Sequence, residues 1–345
     1  MHSIDFRSDT KTLPTPEMRE AIRLADLGDD VGGEDPTVNR LESMAAEMLG
    51  KEAAILVTSG TMGNLIALLM YCKKGEQVII GDRSHIYNGE GGGASALGGV
   101  VYRPVPNDDR GMVDLNDIRV AINSYAGFFA PTRLIAVENT HNSVGGMVLT
   151  SEDLEAVAGL ATEYGIPLHL DGARIFNAAV YLDMPVKELV KDVDTVTFCL
   201  SKGLSAPVGS LLCGTAEAID RARRIRKMLG AGMRQVGVIA AAGIVALETM
   251  VERLAEDHLN AQRLADGLAR IPGIIIEQNR VQTNLVFFKA NVRSQNKVVC
   301  RLNEGGVKVL GNRPTWRFVT HYGITSADID YALDVIDSVF REFAA

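Results

Sequence analysis

Short apolar runs alternate with segments of helical periodicity from about residue 53 to residue 215. The runs are rich in β-branched residues and have no regular polar positions, which is typical of strands buried on both faces. They are Ala54–Val57, Gln77–Ile80, Val100–Tyr102, Leu134–Val137, Leu168–Leu170, Thr195–Phe198 and Ser210–Cys213. One helical segment opens at Ser151, which the pattern predicts as its N-cap. The alternation predicts an α/β fold with a mostly parallel, doubly wound sheet.

The pattern changes after about residue 235. A long helical stretch over Gln235–Ile271, which a break could divide, leads to further short strands and to an amphipathic helix over Ser326–Phe343. The strand candidates are Gly273–Ile276, Leu285–Phe288, Val307–Leu310 and Arg317–Val319. This predicts a smaller C-terminal α+β domain. We expect an N-terminal arm over residues 1–20, a large domain over 21–245 and a small domain over 246–345.

Composition narrows the class of protein. The 345 residues are 47% hydrophobic and 23% charged, which is typical of a globular domain rather than a disordered chain. The formal net charge of −8 argues against a nucleic-acid partner. The most apolar window, Val236–Leu247, is shorter than the ~20 residues that cross a membrane, and the first residues do not resemble a signal peptide. Four cysteines without CxxC spacing fit reduced thiols in a cytoplasmic protein.

Two charged residues stand at the ends of predicted buried strands. Lys202 follows the run ending at Phe198, and Asp171 follows Leu168–Leu170. Ligands of open α/β sheets bind at the carboxyl ends of the strands, so both side chains are expected at a site. A lysine amine there can attack a carbonyl carbon, and an aspartate can pair with a protonated ring nitrogen. Together they form the protein's half of pyridoxal phosphate chemistry.

Two glycine-containing turns differ in how well their sequence context matches a ligand-binding site. Ser59–Asn64 joins a predicted strand to a helix and could bind a phosphate, although an ordinary N-cap would need the same residues. Gly91–Ala96 matches GxGxxA, but it follows Glu90 rather than a strand and so fails the context of a dinucleotide site. The sequence has no P-loop, zinc-protease or serine-hydrolase motif, and we predict no metal site.

Histidines and arginines supply further candidates. His85 and His141 lie in loops after predicted strands, where a functional and a structural role are equally consistent with the pattern. His169 lies inside a strand and is interpreted as a hydrogen-bonded core residue. Arg174 and Arg317 could each bind a carboxylate through two parallel hydrogen bonds. Spacing favours Arg174, three residues after Asp171.

Seven motifs in order resemble the L-threonine aldolase family of pyridoxal-phosphate lyases, whose members have the aspartate-aminotransferase-like fold. They extend over essentially the whole chain. The motifs are Asp5–Thr10, Gly28–Asp30 with Gly33–Thr37, Ser59–Asn64, Glu138–Asn142, His169–Arg174, Phe198–Gly203 and Met228–Gln235. One departure is that Val31 is followed by Gly32, where the family usually has tyrosine. The departure bears on substrate fit and not on the core chemistry.

The resemblance implies a role for each candidate. Lys202 would carry pyridoxal 5'-phosphate as a Schiff base, Asp171 would pair with the ring nitrogen and His85 would stack on the ring. The implied cofactor-binding residues are Lys202, Ser59, Gly60, Thr61, His85, Asp171 and Arg174, with Lys227 and Arg234 reaching the phosphate from a neighbouring subunit. Those implied for the substrate are Ser8, Arg174 and Arg317 at the carboxylate and His141 near the β-hydroxyl. The implied catalytic set is Lys202, His85, His141 and Asp171.

The resemblance also implies a reaction and an assembly. The reaction is retro-aldol cleavage of L-threonine or L-allo-threonine to glycine and acetaldehyde, with His141 or a water held by the histidines as the base. The assembly is a cytoplasmic homotetramer with shared active sites, in which the basic run Arg221–Lys227 lies at a subunit interface. Two alternatives stay open. One is another reaction of the same fold, such as β-elimination, transamination or hydroxymethyl transfer. The other is a non-catalytic α/β protein that binds a small molecule.

Overall fold

The computed structural model describes residues 3–123, 128–311 and 315–343. The strands in these ranges are β1 (Ile4–Asp5), β2 (Ala53–Val57), β3 (Gln77–Gly81), β4 (Val101–Val105), β5 (Thr132–Glu138), β6 (Leu168–Asp171), β7 (Thr195–Cys199), β8 (Ser210–Gly214), β9 (Ile274–Ile275), β10 (Leu285–Ala290), β11 (Val307–Lys308) and β12 (Trp316–Val319).

The α-helices in the same ranges are α1 (Pro16–Leu24), α2 (Pro36–Leu49), α3 (Gly60–Tyr71), α4 (His85–Asn88), α5 (Gly93–Gly98), α6 (Leu115–Asn123), α7 (Ser151–Glu163), α8 (Ile175–Tyr181), α9 (Val186–Leu189), α10 (Ala216–Met228), α11 (Gly237–Thr249), α12 (Leu254–Leu268), α13 (Gln295–Glu304) and α14 (Ser326–Glu342). None of them combines the length and the apolar character that a membrane crossing would need.

A seven-stranded sheet forms the centre of the fold, in the order β2-β8-β7-β6-β5-β3-β4. The neighbouring strands from β7 through β6, β5 and β3 to β4 pair in parallel, whereas β8 is antiparallel to both its neighbours, β2 and β7. All residues of β3, β6, β7 and β8 are buried, as the continuous apolar runs predict. The predicted α/β fold with a mostly parallel sheet is confirmed.

A second group of elements combines the C-terminal strands and helices with the N-terminal strand β1. β12, β10 and β9 form an antiparallel sheet, and β1 pairs in parallel with β11. Their apolar residues form a core with α12 to α14, to which the N-terminal segment contributes Ile4 and Phe6. The ring of Phe6 stacks on that of Phe318 with centroids 5.4 Å apart. The core around the central sheet extends as far as Leu254. The domain boundaries stay a prediction.

Two local predictions change in detail. Thr150, not Ser151, is the N-cap of α7, so the predicted cap is wrong. Thr150 and Asp153 form a capping box in which each side chain binds the other's backbone N–H, and this reciprocal pair fixes the helix start one residue earlier. The stretch over residues 235–271 divides into α11 and α12 around Met250–Arg253.

The arginines of α10 are paired with acidic residues of the same chain. The pairs are Arg221–Glu217, Arg224–Asp220, Arg223–Glu42 and Arg226–Asp30. The last pair is buried, and Arg226 also donates to the carbonyl oxygen of Leu56 across 2.7 Å. The charges of these four arginines are therefore balanced within the chain.

Candidate active site

The candidate site lies at the carboxyl edge of the central sheet. There β3 leads into His85, β5 ends at Glu138, β6 ends at Asp171 and β7 leads towards Lys202. Parallel strands place these ends side by side, as the strand-end argument predicts. His85, Glu90 and Asp171 offer ligand atoms within 4.8 Å of one another.

Asp171 is buried, and each of its carboxylate oxygens accepts a hydrogen bond. Oδ1 accepts from the backbone N–H of Ala173 at 3.1 Å, and Oδ2 accepts from the amide of Asn64 at 3.0 Å. The turn after Asp171 is close to β7, because a Cβ at Gly172 would lie 2.9 Å from Val196 and 3.0 Å from the carbonyl oxygen of Thr197. Both oxygens are therefore fixed in orientation.

Asn64 connects Asp171 to two further buried groups. Its amide nitrogen also donates to Oε1 of Glu90 at 2.8 Å, and its Oδ1 lies 3.1 Å from Nε2 of His169. An amide oxygen only accepts, so Nε2 of His169 carries the hydrogen and Nδ1 accepts from the hydroxyl of Thr195 at 2.9 Å. Burial lowers the pKa of His169 to about 4, which keeps this ring neutral. The core interpretation of His169 agrees with these contacts.

His85 begins α4 and is oriented by two carboxylates. Its backbone N–H donates to Oε2 of Glu138 at 2.6 Å, and its Nδ1 lies 2.9 Å from Oε1 of Glu90. The hydrogen bond to Glu90 raises the pKa of His85. Burial raises the pKa of Glu90, an effect that the hydrogen bond from His85 opposes. The two contacts therefore hold His85 at the site, and its raised pKa favours the protonated imidazole.

The N-terminus of α3 approaches the same edge. Ser59 is its N-cap and accepts from the backbone N–H of Met62 at 3.2 Å. The N–H groups of Gly60 and Thr61 precede the first intrahelical bond, which runs from Gly63 to Ser59. A Cβ at Gly60 would lie 2.8 Å from Sγ of Cys199, so the helix start is packed directly on β7. The geometry suits an anion at Gly60 and Thr61.

Arg174 and Arg317 converge on one side-chain oxygen. Nη1 of Arg174 donates to Oδ1 of Asn142 at 3.4 Å, and Nη1 of Arg317 donates to the same atom at 3.2 Å. Nε and Nη2 of Arg174 donate to the buried carboxylate of Asp9 at 2.6 and 2.8 Å. Although burial alone would raise the pKa of Asp9, the charge and hydrogen bonds of Arg174 hold it well below its usual range. All three guanidinium nitrogens of Arg174 thus donate hydrogen bonds to protein groups.

The N-terminal segment passes over the site. The hydroxyl of Thr12 donates to the carbonyl oxygen of Lys202 at 3.0 Å, and the charge of Lys202 contributes to the low pKa of Asp9. Ser8 caps a short 3₁₀ turn by accepting from the backbone N–H of Thr10. Ser8 and Lys202 are both partly exposed. The contacts bring Ser8, Asp9 and Lys202 to one side of the sheet edge.

His141 is fully buried after β5. Neither ring nitrogen forms a hydrogen bond within the described part of the protein. The backbone of His141 pairs with Met147, and the loop between them contributes Ser143 and Val144 to a cleft of about 570 Å³ that also reaches Arg317. A buried imidazole in this state has hydrogen-bonding capacity for a ligand or water.

The remaining predicted residues lie elsewhere on the surface of the single chain. Nη1 of Arg234 donates to Asp29 at 2.7 Å, and the Arg234 side chain is 60% exposed. Lys227 lies close to Gly232, where a Cβ would meet its side chain at 2.7 Å. Gly32 is exposed in the turn Asp30–Gly32. Arg234 and Lys227 stay predictions as phosphate ligands.

Sequence reasoning gave no role to several residues that organise the site. Asn64, Asp9 and Asn142 stand inside motifs quoted above, but each acts through a partner on another element. Glu90 precedes the glycine cluster, and only the fold brings it to His85. A polar residue one turn into an apolar helix, such as Asn64 in α3, is the one local signal that could have found them.

The fold and this edge define an α/β protein of the pyridoxal-phosphate fold class, and the family model described as "Beta-eliminating lyase" matches residues 5–291. The low-specificity L-threonine aldolase 1 of Arabidopsis thaliana is 46% identical over 340 residues, 96% of this chain and 95% of the relative. The low specificity L-threonine aldolase of Escherichia coli (strain K12) is 44% identical over 323 residues, 93% of this chain and 95% of the relative. The chain belongs to the beta-eliminating lyase family and, within it, to the low-specificity L-threonine aldolases.

Solved structures of lower sequence identity agree on the fold. A threonine aldolase from Leishmania major aligns with a TM-score of 0.85 at 21% identity, over 98% of this chain and 99% of that one. A putative L-allo-threonine aldolase from Listeria monocytogenes EGD-E aligns with a TM-score of 0.79 at 20% identity, over 93% and 92%. The architecture is therefore shared well beyond the range of clear sequence similarity.

Proposed function

We propose that the protein is a pyridoxal-phosphate-dependent L-threonine aldolase. The reaction converts L-threonine or L-allo-threonine to glycine and acetaldehyde. The observation that carries the proposal is the buried Asp171 carboxylate, whose two oxygens each accept a hydrogen bond. It lies at the same edge of the sheet as the end of β7, which Lys202 follows. The family membership supports the same reaction.

The residues present fit pyridoxal phosphate. The cofactor has an aldehyde, a basic ring nitrogen and a phosphate, and the edge offers an amine, an acceptor-only carboxylate and a helix N-terminus. Lys202 would hold the aldehyde carbon, Asp171 the protonated ring nitrogen, and the N–H groups of Gly60 and Thr61 the phosphate. The imidazole of His85, about 40% exposed at the site, would cover one face of the ring.

The protein's part in catalysis follows from charge placement. When bound, pyridoxal phosphate supplies a ring that stabilises negative charge at the substrate Cα. Asp171 keeps the ring nitrogen protonated, and Asn64 holds the Asp171 oxygen in place. Because Asn64 is itself fixed by His169 and Glu90, this arrangement is set before the substrate binds.

Arg317 and Arg174 bind and orient the substrate carboxylate, with Ser8 beside them. Orientation matters because the placement of the carboxylate decides which bond at Cα is the one that breaks. His141 accepts the proton of the β-hydroxyl, the Cα–Cβ bond breaks, and the β-carbon leaves as an aldehyde. A proton then returns to Cα to give glycine. The two ring nitrogens of His141 support this role, because neither has a hydrogen-bond partner among the residues that the structure describes.

The products separate this reaction from the others open to the fold. L-threonine and L-allo-threonine are each incubated with the enzyme and its cofactor, and acetaldehyde, glycine, ammonia and 2-oxobutanoate are measured. Equal amounts of acetaldehyde and glycine support the aldolase. Ammonia with the keto acid would instead identify β-elimination, and cofactor converted to its amine would identify transamination.

A homotetramer with shared sites is the second part of the proposal. Leu27, Val31 and Met228 are 48%, 40% and 72% exposed. A Cβ at Gly232 would lie 3.2 Å from Val31 and would also meet Lys227. Exposed apolar residues beside an exposed Arg234 are typical of a surface that another subunit covers. We infer that Arg234 and Lys227 reach the phosphate of a neighbouring subunit.

Mixing two inactive variants tests whether sites are shared. Lys202→Ala chains and Arg234→Ala chains are combined under conditions of verified subunit exchange. In a mixed pair, one pocket carries both defects and the other carries neither, so activity and cofactor binding recover. No recovery from two inactive parents would show that each site is built from one chain.

We further propose a cytoplasmic role in threonine catabolism and glycine biosynthesis. Cys72, Cys199, Cys213 and Cys300 all carry free thiols. Burial raises the pKa of Cys72 to about 12 and keeps that thiol protonated. Free cysteines are usual in a reducing compartment. Localisation of a tagged chain by fractionation tests the compartment.

A further inference from the structure

The loop Asn107–Met112 packs on the imidazole of His141. Gly111 is buried at the contact, and a Cβ there would lie 2.6 Å from Cβ, Cγ and Cδ2 of His141. Gly111 also has a φ of +87°, a backbone conformation that L-residues with side chains rarely adopt. Glycine at this position therefore permits both the turn and the close approach.

The loop is fixed by its own hydrogen bonds. The amide of Asn107 donates to the carbonyl oxygen of Gly111 at 2.8 Å, and the N–H of Gly111 donates to the carbonyl oxygen of Asp108 at 3.1 Å. Oδ1 of Asp108 accepts from the N–H groups of Arg110 and Met112, both at 2.8 Å. A loop bonded in this way presents a rigid surface to its neighbour.

Two arginines attach the loop to different parts of the chain. Nη2 of Arg83, between β3 and α4, donates to the carbonyl oxygens of Asn107 at 3.1 Å and Asp108 at 2.8 Å. Arg280, between β9 and β10, donates to the carbonyl oxygen of Asp109. The loop that contacts His141 is therefore also anchored to the C-terminal part of the protein.

We propose that the loop Asn107–Met112 positions His141 for the reaction, with Gly111 as the contact residue. His141 has no side-chain hydrogen bond within the described residues, so packing is what orients its ring. The loop lies against the Cβ, Cγ and Cδ2 side of the ring and so fixes where its two nitrogens lie. Gly111 is a positioning residue and acts through His141. This inference rests on the proposed function, because it assigns the loop to the step that removes the β-hydroxyl proton.

Gly111→Ala tests the contact, and Gly75→Ala is the matched control. Gly75 has a φ of +83° with nothing within 4 Å of a Cβ, so it reports the backbone strain without the contact. Three experiments are done: steady-state kinetics of L-threonine cleavage (kcat and KM), exchange of the glycine α-proton for deuterium, and a crystal structure of each variant that gives the position of the His141 ring. The exchange needs the cofactor and Lys202 but involves no β-hydroxyl.

We expect Gly111→Ala to displace the ring of His141 and to lower kcat for cleavage by about a hundredfold, the cost typical of a 1 Å misplacement. KM and glycine exchange should change little, and Gly75→Ala should match the wild type in all three. An undisplaced ring with normal kcat would overturn the inference. So would a loss of exchange as large as the loss of cleavage, or an equal loss in Gly75→Ala.

A second variant covers the case in which Gly111→Ala does not fold. Asn107→Asp keeps the size of the side chain and the acceptor for the N–H of Arg83, but it cannot donate to Gly111. The same split is expected, with cleavage reduced and glycine exchange kept, and an unchanged kcat would contradict the inference. If the wild-type protein exchanges the glycine proton but cleaves no threonine, the proposed function fails and the loop is not the cause.

Discussion

The side-chain amide of Asn64 donates to Oδ2 of Asp171 across 3.0 Å, and the same nitrogen donates to Glu90 across 2.8 Å. One neutral donor therefore lies between two buried carboxyl groups. The amide of Asn64 orients Asp171, which is proposed to face the cofactor, and separates it from Glu90. His169 binds the other end of the same amide, so the donor cannot turn away.

Asn64→Leu should reduce both kcat and cofactor affinity. The change keeps most of the volume but removes the donor that both carboxyl groups share. A hydrogen bond to a charged group contributes about 1.5–3 kcal/mol, so a loss of roughly ten- to a hundredfold is expected. The measurements are kcat for threonine cleavage and the dissociation constant of the cofactor. Asn116→Leu, on the exposed face of α6, is the control and should leave both unchanged.

Asp171→Asn should keep the fold and most cofactor binding but lose turnover. The amide oxygen can still accept from Asn64, whereas the negative charge that favours a protonated ring nitrogen is gone. We expect a cost on the order of 2–4 kcal/mol in the transition state, by analogy with other lost electrostatic contacts. Asp194→Asn is the matched control, because Asp194 accepts from Leu168 at the opposite end of β6. Near-normal kcat in Asp171→Asn would show that this aspartate is not the ring partner.

Much of the central sheet follows from local pattern, and much of the site does not. A strand buried on both faces is apolar throughout, which makes β3, β6 and β7 recognisable from sequence. Lys202 and Asp171 could be predicted as site residues because ligands of open α/β sheets bind at the carboxyl ends of the strands. Asp9 and Arg174 pair across 165 positions in the chain, and no local signal connects them. The anchor from Arg280 to Asp109 depends in the same way on how the C-terminal elements pack.

Asp9→Ala should destabilise the protein and weaken substrate binding. The change leaves the buried guanidinium of Arg174 without its carboxylate, and breaking one side of a buried ion pair typically costs about 3–5 kcal/mol. A freed Arg174 would also lose the orientation proposed for the substrate carboxylate, so KM should rise. Urea unfolding and steady-state kinetics measure the two effects. Glu20→Ala, which breaks an exposed pair with Arg23, should change neither.

His169 should make the protein less stable as the pH falls below neutrality. Its folded pKa is lowered to about 4, whereas an unfolded histidine titrates near 6.5, so the unfolded state binds more protons between these values. The stabilising contribution is complete above pH 6.5 and is lost as the pH falls towards 4. Between pH 7 and pH 5 the expected loss from this residue is about 2 kcal/mol.

His169→Gln isolates that contribution, since His258 is shifted in the same direction and remains in both proteins. The free energy of unfolding is measured at pH 7 and pH 5 for the wild type and the variant. The variant should be less stable at pH 7, and its stability should fall less between the two values. An identical fall in both proteins would mean that His169 does not titrate as a buried neutral ring.

The covalent attachment point of the cofactor is the most direct test of the proposed function. The purified holoenzyme is treated with borohydride, digested and mapped by mass spectrometry for the reduced phosphopyridoxyl group. We predict loss of the yellow absorbance and a single modified residue, Lys202, with no modification of the Lys202→Ala chain. Modification of Lys187, Lys191 or Lys227 in place of Lys202, or a colourless protein that takes up no cofactor, would contradict it.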